Sequence, residues 1–410
     1  MNLEAEKAVY AALKSVYSEG AFSTIVLNRV LKTVPVASKS YITRLFYGVL
    51  DKSIQLDYII MQTVDSKPKT AVVILLKIGL YLLRYSDTPK FAAVNKTVEL
   101  AKQVGKRGTE GFINAVLKKS ETLQLPQPNN AANLSVYASY PVWVIDRLVE
   151  EYGFDFARDF VLKELTTQTH IRPNLTKMTQ AQFEAKYPKA TKNKTDLGYY
   201  VSHTTQNSVL KGDYVIQSYA SMRAVQHYLK DITPLKVLDV CAAPGGKAAY
   251  IKSILADAEV TACDVHAHRV DLINSYAQHV GVAITARQSD ATIAQEEFKE
   301  QFELVVCDVP CSGIGVVGKK PEILLRRTGE DVQNLAQLQR KIIQVASGYV
   351  AKGGRLSYST CTVFKEENDD IVNDFLSNNP HFTIDGEPLK LFPHIDDCDG
   401  FYVVNLKRNP

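Results

Sequence analysis

The stretch LKVLDVCAAPGGKAAYIKSIL, Leu235 to Leu255, decides the fold. LKVLDV is a short apolar run suited to a strand, CAAPGGK follows as a turn, and AAYIKSIL has helical spacing, so the segment reads strand, glycine turn, helix. Gly245 and Gly246 let the backbone pass close to a ligand at the helix N-terminus, where unpaired N–H groups favour electronegative atoms. The turn is neither GxGxxG nor a P-loop, because Lys247 lacks the following Ser/Thr and the earlier glycine. A dinucleotide or an ATP phosphate is therefore not specifically indicated.

Downstream, three more apolar runs end in acids. AEVTACDV carries Asp264 about twenty residues after the glycines, where an acid can accept from both hydroxyls of a ribose. AITARQSD ends in Asp290, and FELVVCDVPCSG reaches Asp308 and then Cys311. From Asp213 onward helices and apolar runs alternate in the βαβ rhythm of a parallel sheet with helices on both faces. The carboxyl ends of such strands share one edge, so these acids, the glycine turn and two cysteines are expected to converge. The cofactor implied has a ribose and an adenine and needs no phosphate cradle. Acids at strand ends also serve as helix N-caps, which is the plainer alternative.

RLSYSTCTVFKEEND, Arg355 to Asp369, reads as a strand that stops at a thiol and turns into an acidic helix. By the same sheet argument Cys361 lies on the cofactor edge, in a Ser359-Thr360-Cys361-Thr362 turn, and Cys311 after Asp308-Val309-Pro310 lies across the same pocket. Two alternatives stand beside a catalytic pair: buried apolar thiols, or, for Cys307 and Cys311, half of a zinc site lacking two ligands. His266 and His268 have no metal partners in the pattern, and no metal is expected. Six cysteines without a CxxC pair, and an N-terminus without a secretory layout, suggest unpaired thiols in a reducing, cytoplasmic setting.

The front of the chain differs in kind. A net charge of +4 over 410 residues conceals +9 in residues 1–120, which carry 18 Lys+Arg against 9 Asp+Glu, and −5 in the remainder. This asymmetry suits approach to a polyanion, or else a solvated basic face. From Glu4 to about Lys119 the apolar spacing is helical throughout, with AVVILLKIGLYLL (Ala71 to Leu83) as a buried central helix; interrupted by Lys77, that run is short of the roughly 20 residues a membrane span needs. SETLQLPQPNNAAN has linker composition. The expected division is an all-α domain over 1–125, a small α/β linker subdomain over 133–212, and a catalytic α/β domain over 213–410. In the middle part, Lys186, Lys189, Lys192 and Lys194 read as a basic loop that touches phosphate or is merely exposed.

Taken together, CAAPGGK, DVPCSGIG and LSYSTCTVFKEEND resemble the motifs of the RNA (cytosine-5) methyltransferases of the Sun/Fmu or NOL1/NOP2 family over roughly Pro141 to Lys407. The front half is similar to the NusB family of RNA-binding antitermination factors through RLFYGVLDKSIQLD, KIGLYLLRYSDTPKFAAVNKTVELAK and GFINAVLK. The resemblance implies a Rossmann-like, seven-stranded methyltransferase domain that uses S-adenosylmethionine, with GFYVVNLKR as its antiparallel edge strand. The pairing of the two halves implies 16S ribosomal RNA as the substrate, free or in an assembling pre-30S particle, with the target cytosine unpaired or flipped out; the alternatives are the same reaction on transfer RNA, or a non-catalytic RNA-binding assembly or antitermination factor that keeps the fold as a scaffold.

Carried over by motif, Cys241, Ala242, Ala243, Pro244, Gly245, Gly246 and Lys247 would line the methionine and ribose of the cofactor, Asp264 its ribose hydroxyls and Asp290 its adenine side. Lys247 is alternatively just the first turn of a helix. Arg269 either braces the cofactor loop or is an exposed helix arginine. Asp308 would sit between cofactor and base, Cys361 would be the nucleophile, and Cys311 would help release the product as base or through one. Cys263 and Cys398 take the structural reading. This sequence departs from the family pattern at Ser218, Val309, Lys319, Lys320, Glu322 and Leu325.

Overall fold

The computed structural model describes residues 3–164, 169–201 and 212–410. The chain divides into two compact units, one formed by Met1–Leu162 with Val317–Arg327 and the other by Lys163–Val316 with Thr328–Pro410.

The first unit is helical. Its core gathers around α5 (Thr70–Tyr85), which is buried on nearly every side because its apolar residues leave no polar stripe. Ile42, Phe46, Val49, Ile59, Leu75, Ile78, Leu100 and Leu117 make up the centre of that core. Lys77, midway along the helix, is 3 % exposed and is held by Ser53 Oγ at 2.6 Å and Asp57 Oδ2 at 2.8 Å. A Cβ on Gly79 would meet Thr97 Oγ1 at 2.6 Å, so a glycine is what lets α6 (Lys90–Gln103) lie this close to α5. The segment Val317–Arg327 contributes Glu322, whose Oε1 accepts from the Ser23 N–H at 3.3 Å, and Arg326, which donates to the Ala21 carbonyl and lies over the Phe22 ring.

The second unit contains two sheets. The smaller is antiparallel, in the order β2 (Thr191–Lys192), β3 (Tyr199–Val201), β1 (Thr169–Pro173), β4 (Tyr214–Ile216). Arg172 on β1 is fully buried, lies over the Tyr250 ring at 4.2 Å and donates through Nε to Gln217 Oε1 at 3.0 Å. Gln217 in turn reaches the Gly246 carbonyl, so the small sheet is fastened to the helix that begins at the glycine turn. The expected basic loop is not one loop: Lys186 ends the helix Gln180–Lys186 and pairs with Asp213 at 2.8 Å, while Lys192 lies in β2. Long-range pairing of this kind leaves no trace in local spacing.

The larger sheet runs β10 (Phe382–Ile384), β12 (Phe401–Arg408), β9 (Val350–Thr360), β8 (Phe302–Asp308), β5 (Lys236–Asp239), β6 (Glu259–Asp264), β7 (Thr285–Gln288), with β11 (Leu389–Leu391) beside β12. Strands β7, β6, β5, β8 and β9 are parallel and β12 is antiparallel to β9. Both faces are covered: Leu238, Val305 and Cys307 belong to one core cluster and Val237, Leu304 and Val306 to the other, which is why these strands read as continuous apolar runs. GFYVVNLKR is antiparallel as expected but is not an edge, because β10 and β11, three residues each, pair on its outer side. From β5 the chain builds outward in both directions, and at such a reversal the strand ends open a crevice.

Candidate active site

Five strand ends supply the crevice. After β5 the chain turns through a cis Ala243–Pro244 peptide to Gly245, whose φ of 101° a side chain would rarely tolerate and whose added Cβ would meet Ile273 Cα at 3.2 Å. At Gly246, where the helix Gly246–Ile254 begins, a Cβ would meet nothing nearer than the Tyr276 hydroxyl at 3.9 Å. The turn is therefore pressed against protein on one side and open on the other, as a cradle for a ligand must be. Arg269 braces it from β6's side, donating to the Ala243 carbonyl at 3.3 Å and pairing with Asp264 Oδ2 at 3.2 Å. Asp264 ends β6 and accepts from the His266 N–H through its other oxygen. Asp290, two residues beyond β7, accepts from the Thr292 N–H and hydroxyl, and these bonds hold its carboxyl below the usual range. Val265, next after Asp264, and Ile293, three residues after Asp290, are 43 % and 58 % exposed, two apolar side chains that the motif reading did not single out.

Below the turn lies a charged pair. Lys247 Nζ is 2.5 Å from Asp308 Oδ2, and Asp308 Oδ1 accepts from Ser359 Oγ at 3.0 Å, whose hydroxyl meets Tyr228 OH at 2.6 Å. Burial opposes the charge on Lys247, yet Asp308, Asp239 and Cys361 together hold its ammonium above the ordinary value. Asp239 is 1 % exposed, and burial followed by repulsion from Asp308 pushes its carboxyl up to about 7. The Cys241 N–H is turned toward Asp239 Oδ1 at 3.3 Å.

Cys361, one of two neighbouring thiols, is electrostatically coupled to Lys247 of this pair. Asp308 at the end of β8 is in register with Ser359 on β9, so the turns that follow run side by side and bring Cys311 Sγ to 3.2 Å from Cys361 Sγ. The Cys361 N–H also points at the Cys311 sulfur, at 3.3 Å. The Cys311 thiol is pushed well above the ordinary cysteine range by its hydrogen bond to Cys361, by burial, and by the charges of Cys361 and Glu367. Cys263 and Cys307 are buried within the sheet, and burial raises both, Cys263 to about 12. Among the described residues no group of three or more His, Cys, Asp or Glu is placed to hold a metal, and His266 and His268 stack on one another. No helix of the described residues is long and apolar enough to cross a membrane.

A sheet of this topology, with a glycine turn after β5 and acids at or just beyond the ends of the next two strands, is compatible with S-adenosylmethionine-dependent methyltransferases, and the family match assigns the chain to that class. A family profile described as 16S rRNA methyltransferase RsmB/F matches residues 228–407, and the NusB family profile matches residues 4–122. A Bacillus subtilis protein named probable ribosomal RNA small subunit methyltransferase B is 30% identical, with 97% of each chain covered. A Salmonella paratyphi B protein named ribosomal RNA small subunit methyltransferase B is 28% identical over 96% of each. The chain belongs to the RsmB/F methyltransferase family. The solved structure titled PH0851 matches 100% of this chain at a TM-score of 0.82 with 22% identity, and NSun6 from Pyrococcus horikoshii matches 67% at 0.57 with 18%. These two likenesses bear on the fold.

Proposed function

We propose that this protein transfers a methyl group from S-adenosylmethionine to carbon 5 of a cytosine in 16S rRNA, with Cys361 as the nucleophile. The observation that carries the reading is the pair of thiols 3.2 Å apart, with Cys361 electrostatically coupled to Lys247 of the Lys247–Asp308 ion pair. The open side of the turn Cys241–Lys247, Asp264 for the ribose hydroxyls, and Asp290 with the exposed apolar Val265 and Ile293 for the adenine fit the cofactor. Bound there, it supplies an electrophilic methyl group.

Carbon 5 of cytosine is too weak a nucleophile to be methylated directly. Addition of the Cys361 thiolate to carbon 6 makes carbon 5 enamine-like, and loss of the carbon-5 proton after methylation lets the thiolate leave by elimination. Negative charge on that sulfur is favoured by the Lys247 ammonium, which is electrostatically coupled to it. Cys311 keeps its proton at neutral pH and hydrogen-bonds to the nucleophile, so it serves release through a base that takes the carbon-5 proton rather than as that base itself. Asp308 bonds to the cytosine edge and polarises the ring. A base inside a duplex cannot reach these groups, so the target cytosine is unpaired or flipped out.

The test is to incubate the protein with methyl-labelled cofactor and, in parallel, unmodified 16S rRNA, free and in assembling small subunits, and unmodified transfer RNA, and to digest each to nucleosides. Label in 5-methylcytidine is expected. Label only in transfer RNA overturns the substrate, and label in another nucleoside overturns the chemistry.

A further inference from the structure

Glu367 is a buried carboxylate that the mechanism above does not use. It is 0 % exposed, in the turn Lys365–Glu367 that follows the Cys361 loop. Its Oε1 accepts from the Ser312 N–H at 2.8 Å and from Gln339 Nε2 at 3.0 Å, and its Oε2 accepts from the Ser312 hydroxyl at 2.5 Å. Gln339 also donates to the Pro310 carbonyl at 2.9 Å, and the Ser312 hydroxyl is 2.8 Å from Thr362 Oγ1. Pro310 and Ser312 flank Cys311, and Thr362 follows Cys361. One carboxylate thus gathers the neighbours of both thiols, from segments 55 residues apart.

Burial works against a charge on Glu367, and the donors around it work the other way. Its charge is also felt at Cys311, where it helps retain the thiol proton. We propose that Glu367 is a positioning residue for methyl transfer: its carboxylate fastens the Pro310–Ser312 turn to the Cys361 loop and so fixes the separation and relative orientation of the two thiols. The proposal deepens the covalent-adduct reading and rests on it for its catalytic meaning. Its geometric content is measurable without any methyl transfer.

Diamide removes two thiol hydrogens, becoming the hydrazine derivative, as one sulfur–sulfur bond forms, so its reaction rate gauges how well Cys311 and Cys361 are held together. The full-length protein, Glu367→Gln and Ser312→Ala are treated with diamide, and the Cys311–Cys361 crosslink is followed by intact mass and peptide mapping, with Cys311→Ala as the chain that cannot close. Glu367→Gln keeps the volume and loses the charge. It is expected to close roughly tenfold more slowly and to lose about tenfold to a hundredfold in kcat, with cofactor affinity within about a factor of two. Ser312→Ala, which removes one partner and leaves the carboxylate, is expected to move both rates in the same direction by less.

If Glu367→Gln melts at a lower temperature but closes the crosslink and turns over at the wild-type rate, Glu367 is a packing residue and the proposal is wrong. If crosslinking slows while methyl transfer proves independent of Cys361, the clamp stands and the adduct reading falls. If neither variant folds, the crosslinking rates in a Glu367→Asp chain decide, since a shorter carboxylate keeps the charge but cannot reach both loops; closure at the wild-type rate overturns the clamp.

Discussion

Cys361 and Cys311 stand 50 residues apart in sequence, and their sulfur atoms lie 3.2 Å apart because the strands that carry them are parallel neighbours ending at the same level. A nucleophile and a second thiol delivered by adjacent strand ends address one small volume from two sides. Under the proposed mechanism that arrangement would divide the labour of addition and release between two side chains, and the division can be read out chemically.

If Cys361 adds to carbon 6 and Cys311 serves release, Cys311→Ala accumulates an RNA–protein adduct that survives denaturation, and Cys361→Ala forms none. Denaturing gels with end-labelled 16S rRNA and cofactor measure this directly. Equal adducts from the two variants would reverse or abolish the assignment of roles.

Backbone packing behind the thiols allows a second prediction. A Cβ on Gly315 would meet the Gly400 carbonyl oxygen at 2.3 Å, and both partners in that contact are backbone, which has no rotamer to yield. Gly315 N–H also donates to the Cys361 carbonyl at 3.0 Å. Gly315→Ala is therefore expected to destabilise the fold by about 1–3 kcal/mol and to lower kcat beyond what unfolding explains. Gly329→Ala, where an added Cβ meets nothing, is expected to be neutral or slightly stabilising. Urea unfolding of the two variants checks the contrast.

How much of this was legible in the sequence depends on the range of the interaction. Strands β5, β6 and β8 follow from apolar runs, and the acids Asp264 and Asp308 stand at their ends as the alternating pattern requires. The convergence of Asp308 with Cys361 follows from sheet topology alone. Glu367 was not legible as a site residue, because an acid in KEEND reads as the start of a helix and its partners Ser312 and Gln339 are remote in sequence. Nor was the packing of Glu322 and Arg326 into the helical unit, since VGKKPEILLRR reads only as a departure from the family pattern and its partners Ser23 and Ala21 are 299 and 305 residues away in sequence. Three-residue strands such as β10 carry too little pattern to be seen.

The Lys247 ammonium is coupled to the charge on Cys361 and is kept cationic by Asp308 and Asp239 despite burial. Removing it with Lys247→Met takes away a positive charge that favours the thiolate. Alkylation of Cys361 by iodoacetamide, followed from pH 6 to 10 in a Cys311→Ala background, is expected to shift to higher pH in the variant. An unchanged profile would mean that Lys247 serves the cofactor or Asp308 only.

Asp239 gives the protein a pH dependence of definite sign. In the folded chain its carboxyl is pushed up to about 7 by burial and by Asp308, against an unfolded value of about 3.9. Below about pH 4 it is protonated in both states and contributes nothing. Between about 4 and 7 the folded state still holds a proton that the unfolded state has released, so stability falls as pH rises; above about 7 both states are ionised and the penalty is constant. The difference in pKa corresponds to a few kcal/mol as an order of magnitude. His227, lowered by burial to about 4, acts oppositely in sign, losing stability as pH falls below about 6.5, but it is present in both wild type and Asp239→Asn and cancels in their difference. Unfolding free energies of the two chains without cofactor, measured at pH 5 and pH 8, should therefore show the Asn variant gaining on wild type by the higher pH. Curves that stay parallel would place the Asp239 carboxyl in the ordinary range and remove burial as the dominant influence on it.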